Sequence, residues 1–467
     1  MSIQDLISSP ESKTLEFKET MPTPQAIAKT ACAFSNGGGG TILIGVEDKN
    51  KTITGIDEQE IHILEEKIAN TVYTIIEPTP SNHITIHNVD GKLILKIDVF
   101  PGSLKPYHLK SKGELEGTFI RVGSTNRKAD IETIEELRRQ RMNISFDETS
   151  VIDASIEDLH TRNIEFYLKK REEVRDIPRV EPDTKFLKMI KAIQQQNGSI
   201  HPTAAGILLF SSEPEKYIPG AIMKCARFKG IEMDEFLDQK IIKGSLFSQI
   251  GETIAFFKKN VKRGAKIEGV YRKEEYEYPE TAIREAVVNA ICHRDYSRKG
   301  ADIKFAIFDD RIEITSPGGL LPQISLSDLG TGVSELRNKI IGRIFNETGL
   351  IEGWGTGIRR IRKQIEEKGL VPPEFIESNG FFKAIIYNEP LQVRFELDED
   401  EKEIIAYIQK HGKAGTKDLE QVLGKSKATI KRKIRTLTEN RYLIWKGKSK
   451  KDPNGHYELT GSTMSQS

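Results

Sequence analysis

Glu285 and Asn289 stand four positions apart in the stretch TAIREAVVNAICHRDY, residues 281–296, which reads as a helix. That spacing puts both side chains on one helical stripe, where a glutamate can take a proton from water and an asparagine can ligand a hard cation. Polar pairs at this spacing are routine on half-buried helices, so residues further along the chain must decide their meaning. Glycines 353, 355 and 357 of GWGTGI come directly before a basic helix over residues 359–368. Backbone N–H groups and a helix N-terminus arranged in that way can cradle phosphates. Elsewhere, Glu11 and Glu16 lie in SPESKTLEFKET, and Glu47 and Asp48 close the run TILIGVED. A basic concentration lies near the other end, where residues 425–451 contain eleven Lys/Arg and one acid, Glu439.

Composition sets the outer limits. The chain has 467 residues, 37% hydrophobic and 30% charged, which predicts about three domains of ordinary size. Seventy basic residues against 69 acidic ones leave a net charge of +1, so charge must be read locally. Cys32, Cys225 and Cys292 are far apart and form no C-x-x-C, which argues against a zinc site or a disulfide framework and for a reducing compartment. No apolar run approaches the ~18 residues of a membrane span, and MSIQDLISSPESK is not a secretory leader. The expectation is a cytoplasmic protein with no membrane partner.

The elements that position these residues follow from period and punctuation. Leu15 and Phe17 point to one side of a strand, and residues 24–34 form a helix stopped by the run of glycines 37–40. Those glycines predict a tight turn; no G-x-x-x-x-G-K-[ST] follows, so a P-loop is excluded. Strands are predicted at 41–48 and in SNHITIHNV, KLILKIDVF and GTFIRVGS. Residues 131–141, 153–175 and 182–196 read as helical, and TAAGILLF and AIMKCARF as two strands. LFSQIGETIAFFKKNVKRG is an amphipathic helix whose Phe247, Ile250, Ile254, Phe257 and Val261 form a core stripe. Strands then follow the 281–296 helix in ADIKFAIFDD, RIEITSPGG and FFKAIIYN. HRD at 293–295 lacks the asparagine of a kinase catalytic loop, since position 300 is Gly.

Three helices and a hairpin with Asp452-Pro453-Asn454-Gly455 at its tip end the chain, the order of a winged helix-turn-helix. Lys427, Lys431, Arg432, Lys433, Arg435, Lys446 and Lys448 are its candidate nucleic-acid contacts.

The first segment resembles the Schlafen AlbA-like family through ESKTLEFKE, AFSNGGGGTILIGVEDK, Gly55-Ile56-Asp57 and FIRVGSTNRKA. The resemblance implies a three-carboxylate, metal-dependent site that cuts RNA, notably transfer RNA, with Glu11, Glu16 and Asp48 in its positions. Three converging carboxylates would repel unless Mg²⁺ or Mn²⁺ lay between them, and a metal so held activates water for phosphodiester displacement. Lys18 could neutralise a phosphate there.

The central segment looks like a GHKL-type ATPase domain, with EAVVNA as its N-box, IEITSPGGL as the first glycine box and GWGTGI as the second. By that resemblance Glu285 polarises the attacking water, Asn289 holds Mg²⁺, and Gly318, Gly319, Gly353, Gly355, Thr356 and Gly357 surround the ATP phosphates. Ser316 stands where the family places its adenine-binding Asp.

The expected fold class is α+β multidomain: a Schlafen AlbA-like α/β domain over 1–140, a connecting region over 141–262, a GHKL (Bergerat-type) α/β sandwich over 263–390 and a winged helix-turn-helix over 394–461. Two functions compete. One is an ATP-regulated endoribonuclease acting in phage defence or stress; the other is a nucleotide-responsive DNA-binding transcriptional regulator that cuts nothing. Partners would be RNA (tRNA) or DNA and a nucleotide, and the GHKL resemblance implies a homo-oligomer.

Overall fold

The computed structural model describes residues 3–196, 198–268, 271–321, 323–390, 398–439, 442–447 and 455–459. The chain forms two compact units, one of Met1–Gly220, Cys292–Ala301 and Gly318–Thr348, the other of Ala221–Ile291, Asp302–Pro317 and Gly349–Ser467.

The first unit begins with a four-stranded sheet in the order Leu15–Lys18, Gly40–Ile44, Lys92–Val99, Asn82–Val89. Its first pair is parallel, with Phe17 opposite Leu43, and the other pairs are antiparallel. The helix Pro24–Asn36 supplies the connection between the parallel strands. Thr23 caps it and Pro24 starts it, while Ile27, Ala28, Ala31 and Phe34 bury its apolar face. The glycine run after it is the tight turn that the sequence predicts. Gly39 has φ +81°, and a Cβ there would lie 2.8 Å from the Val99 carbonyl oxygen, so only glycine fits.

At the end of the same helix the buried Asn36 holds two distant segments. Its Oδ1 accepts from the Tyr107 N–H at 2.7 Å, and its Nδ2 donates to the carbonyls of Tyr107 at 2.8 Å and Phe119 at 2.9 Å. Asn36→Ala leaves the buried Tyr107 N–H and Phe119 carbonyl without their side-chain partner, at a cost of about 2–4 kcal/mol, while the Tyr107 carbonyl keeps the Cys32 thiol. A melt of the full chain should show its N-terminal transition lowered by several degrees.

The rest of the first unit departs from the sequence reading in three places. Of residues 153–175, the α-helix covers Thr161–Arg175, preceded by a 3-10 turn at Ile156–Asp158. Residues 182–196 do not form one helix. The helix Thr184–Met189 is followed by a hairpin of Ile193–Gln196 and Ser199–Pro202. AAGILLF is a helix, Ala204–Phe210, not a strand. A fully buried apolar run of seven residues has no period to read, and the deciding features are the Thr203 cap and Gly206, packed against the Ala192 carbonyl where a side chain would clash. The helix Lys339–Glu347 joins this unit through the buried Asp147, whose Oδ2 accepts from the N–H groups of Ile340 and Ile341, both at 2.8 Å.

The second unit contains a six-stranded sheet in the order Phe236–Ile242, Met223–Phe228, Ile303–Ile307, Arg311–Pro317, Phe381–Tyr387, Glu374–Ser378. Only the pairing of Met223–Phe228 with Ile303–Ile307 is parallel. A parallel pair needs a long crossover, and here the chain between the two strands contains the helices Leu246–Asn260 and Glu280–Cys292. The strands at 223–242 therefore share a sheet with those after residue 300, and a boundary at 262 divides that sheet. In the helix Glu280–Cys292, Ala282, Ile283, Ala286, Val287, Val288 and Ile291 are buried, which leaves Glu285 and Asn289 on the remaining stripe.

The C-terminal helices Glu399–His411, Thr416–Leu423 and Lys427–Glu439 and the strands Leu443–Lys446 and His456–Leu459 enclose a core of Ile404, Ile408, Leu419, Ile430, Ile434 and Leu443. Residues 452–454 of the hairpin tip lie outside the described residues. No helix among the described residues is long and apolar enough to cross a membrane.

Candidate functional site

The N-terminal turn of the helix Gly357–Glu367 lies against Glu285 and Asn289. A Cβ on Gly357 would collide with Glu285 Oε1 and lie 3.1 Å from Asn289 Nδ2, so the glycine is what allows the two segments to meet. Asn289 Nδ2 also donates to Glu285 Oε1 at 3.4 Å. Thr356, at the N-cap, makes no side-chain capping bond, and Gly355 before it has φ +64°. This helix N-terminus thus turns its N–H groups and positive dipole end toward a buried carboxylate and a carboxamide.

Burial raises the Glu285 carboxyl above its ordinary range, and the opposing pull of Arg360, 3.3 Å away, does not cancel it. Arg360 is shared with Glu352. Sequence reasoning missed this arginine, although its place in GIRRIRK, one helical turn from Thr356, was a signal. Trp354, between the glycines of the loop, is 82% exposed. Ser316 is buried, and its hydroxyl donates to the Ala290 carbonyl at 2.8 Å, which commits it to an internal bond.

Gly318 and Gly319 belong to the first unit. There Gly318, with φ +99°, packs against Asp295, and Arg337 Nη2 donates to the Gly319 carbonyl at 2.7 Å. His293 next to them is held neutral, its pKa pushed down to about 4 by burial and by the charge of Arg337.

The N-terminal carboxylates share a neighbourhood without forming a metal site. Burial raises the Glu11 carboxyl, and the charges of Glu16 and Asp48 push in the same direction. Glu11 Oε1, however, accepts from the Phe17 N–H at 2.9 Å, and Asp48 pairs with Lys51 at 2.6 Å. Glu16 is clamped from both sides: Lys18 binds one oxygen, and Arg121, its side chain 3% exposed, binds the other. Among the described residues no three His, Cys, Asp or Glu side chains are grouped to hold a metal ion. Both oxygens of Glu16 are bound by cationic side chains, one oxygen of Asp48 is bound by Lys51 and one of Glu11 by a backbone N–H, so Mg²⁺ or Mn²⁺ shared by the three would have to displace Lys18 and Arg121 from Glu16. The partner that the sequence did not reveal is Arg121, which lies in FIRVGSTNRKA, more than a hundred residues from Glu16.

Glu16→Ala should therefore destabilise the N-terminal domain. Leaving the buried Arg121 guanidinium without its partner costs about 3–5 kcal/mol, which a thermal or urea melt would detect.

On the helix Lys427–Glu439, Ile430, Ile434 and Leu437 face the core, while Lys427, Lys431, Arg432 and Arg435 are exposed. Lys427, Lys431 and Arg435 follow one another at four-residue spacing and form one stripe. Lys433 is used differently. Its ammonium is paired with Asp398 and lies 3.5 Å from the buried Glu401, so it ties the third helix to the first. Lys446 is half-buried on the wing, and Lys448 lies outside the described residues.

Four family descriptions match parts of the chain. Residues 11–130 match "Schlafen, AlbA_2", residues 135–223 a domain of unknown function, DUF8451, residues 300–386 "Putative ATP-dependent DNA helicase recG C-terminal" and residues 401–447 "DeoR-like helix-turn-helix domain". The third match begins after the helix that carries Glu285 and Asn289. Among solved structures, the chain is similar to the DIP2311 protein from Corynebacterium diphtheriae at 19% identity, with 98% of this chain and 96% of that one covered and a TM-score of 0.45. A second is the N-terminal domain of a RecG-related protein, described as a putative ATP-dependent DNA helicase, from Nitrosomonas europaea, at 20% identity over 28% of this chain and 95% of that one, with a TM-score of 0.21. No curated protein matches the chain.

Proposed function

We propose that this chain, which carries an N-terminal Schlafen AlbA-like domain, a GHKL-superfamily ATPase-like domain and a C-terminal DeoR-like helix-turn-helix domain, is a nucleotide-responsive DNA-binding regulator. The observation that carries this reading is a contrast between two charged sets. Glu16 of the carboxylate trio is saturated by Lys18 and Arg121, whereas Lys427, Lys431 and Arg435 present an exposed cationic stripe on the second helix of the helix-turn-helix. Buried, neutralised acids support structure; exposed cations at helical spacing suit a phosphate backbone.

The nucleotide site is assigned to Glu285, Asn289 and the loop of Gly353, Gly355, Thr356 and Gly357. The uncapped helix start suits phosphates, Asn289 would hold the accompanying Mg²⁺, and Glu285 would accept a proton from water. A bound nucleoside triphosphate would supply a hydrolysable phosphoanhydride. The internal bond of Ser316 removes the expected adenine contact, so the base specificity is open to purines other than adenine. A chain with Cys32, Cys225 and Cys292 all free and buried, acting on DNA, belongs in the cytoplasm.

The test uses Trp354. In a Trp445→Phe background it is the remaining tryptophan, and titration with ATP or GTP plus Mg²⁺ should change its emission saturably; no response to any nucleotide contradicts the assignment. Labelled tRNA, single-stranded and duplex DNA should stay intact in Mg²⁺ or Mn²⁺. Cutting that disappears in Asp48→Ala, with the variant shown to be folded by circular dichroism, would replace this reading with a metal-dependent nuclease.

A further inference from the structure

We infer that Arg360 recognises the terminal phosphate of the nucleotide, and that Glu352 is the carboxylate which this phosphate displaces. The inference rests on the nucleotide site proposed above and adds to it the residue that tells a triphosphate from a diphosphate.

The helix Gly357–Glu367 starts with cations where helices favour anions. Its first turn contains no acidic residue, and Arg359 and Arg360 stand in it, although the positive end of the helix dipole lies there. Side chains on a helix lean toward its N-terminus, so the Arg360 guanidinium is directed back over the turn that Thr356 opens. Its contacts agree. Arg360 Nη1 lies 3.3 Å from Glu285 Oε2, and Nη2 binds Glu352 Oε2. That same Glu352 oxygen accepts from the Thr356 hydroxyl at 3.4 Å. One anionic oxygen is therefore held at the helix start between a hydroxyl and a guanidinium, the kinds of donor that a phosphate oxygen takes.

The two carboxylates differ in how firmly they are held. The Glu285 side chain is 9% exposed and also accepts from Asn289, whereas that of Glu352 is 59% exposed. Exposed ion pairs contribute little, so a phosphate displaces Glu352 and leaves Glu285 in place. Nη1 keeps Glu285 while Nη2 passes from the Glu352 carboxylate to a phosphate oxygen. The phosphate is the terminal one because Arg360 stands beside Glu285, the group assigned to the attacking water, and hydrolysis takes place at the terminal phosphorus.

Isothermal titration of the full chain with ATP, ADP, GTP and GDP in Mg²⁺ tests this. The wild type should bind a triphosphate about tenfold more tightly than the diphosphate of the same base. Arg360→Gln/Glu352→Gln keeps the net charge and should bring that ratio down to about 2. Glu352→Gln alone should strengthen triphosphate binding by about threefold, because no carboxylate has to leave. Arg359→Gln removes a positive charge from the exposed neighbouring position and should keep the wild-type ratio. Circular dichroism melts verify that each variant is folded; a purely structural role for Arg360 would lower the melting temperature without changing the ratio. A wild-type ratio in the double variant, an equal loss in Arg359→Gln or weaker triphosphate binding in Glu352→Gln overturns the inference. A wild type that binds triphosphate and diphosphate equally also overturns it and leaves the site standing, whereas one that binds no nucleotide removes the site itself.

Discussion

Replacing Lys427, Lys431 and Arg435 together with alanine is expected to weaken duplex DNA binding by about 10²–10³-fold at physiological salt. The three side chains are exposed along one stripe of the helix Lys427–Glu439, while Ile430, Ile434 and Leu437 hold its other face in the core. Truncating them leaves that apolar face intact. Each lost phosphate contact lowers the slope of log affinity against log salt by about 0.9, so the variant should show a slope reduced by about 2.7. Lys433→Ala is the informative control. Its ammonium serves Asp398 and the buried Glu401, so the expected effect is a lower melting temperature of the winged-helix domain with an unchanged salt slope. Anisotropy titrations of a labelled duplex at several salt concentrations measure both. A triple variant with wild-type affinity and slope would remove the helix from the interface.

The second large effect concerns the helix start against Glu285. Gly357→Ala forces a methyl into the space of the Glu285 carboxylate and close to Asn289, with the backbone of one helix on one side and a packed helix on the other. Nucleotide affinity should fall by at least about tenfold, because the N–H groups can no longer approach a phosphate at that point. Glu285→Gln preserves shape and should keep binding while lowering hydrolysis by about 10²–10⁴-fold. The two variants therefore separate binding from turnover. The pH profile follows from the same burial. Hydrolysis requires ionised Glu285, whose carboxyl burial raises, so the acid limb of the rate should lie at higher pH than an exposed glutamate would give and vanish in Glu285→Gln. Equal rates in Glu285→Gln and wild type would assign water activation elsewhere.

How much of this is visible in the sequence depends on the range of the interaction. The turn at Gly39 and the C-terminal helices rest on local rules of glycine conformation, caps and period, and they can be read directly. The meeting of Glu285, Asn289 and Gly357 follows from motif order, although the clash that requires glycine at 357 is visible only in three dimensions. What the sequence hides is pairing across the fold. Glu16 looks like a free ligand until the hairpin that contains Arg121 is placed beside the first strand. Lys433 looks like its neighbours Lys431 and Arg432 until the first helix brings Asp398 and Glu401 to it. The strand Phe236–Ile242 also escapes pattern reading, since Asp238, Gln239 and Lys240 interrupt its apolar residues. Its structure depends on the neighbouring strand Met223–Phe228 and on pairs with the helix Leu246–Asn260, Asp238 with Lys259 and Lys240 with Glu252.

The central claim is that nucleotide occupancy governs DNA binding. Its most direct test is the affinity for one labelled duplex measured with no nucleotide, with a nucleoside triphosphate plus Mg²⁺, and with the same ligands on Gly357→Ala. The account predicts that nucleotide shifts the dissociation constant of the wild type at least about fivefold, a coupling of about 1 kcal/mol, and that Gly357→Ala binds DNA but shows no shift. Identical affinity of the wild type with and without saturating nucleotide would contradict it.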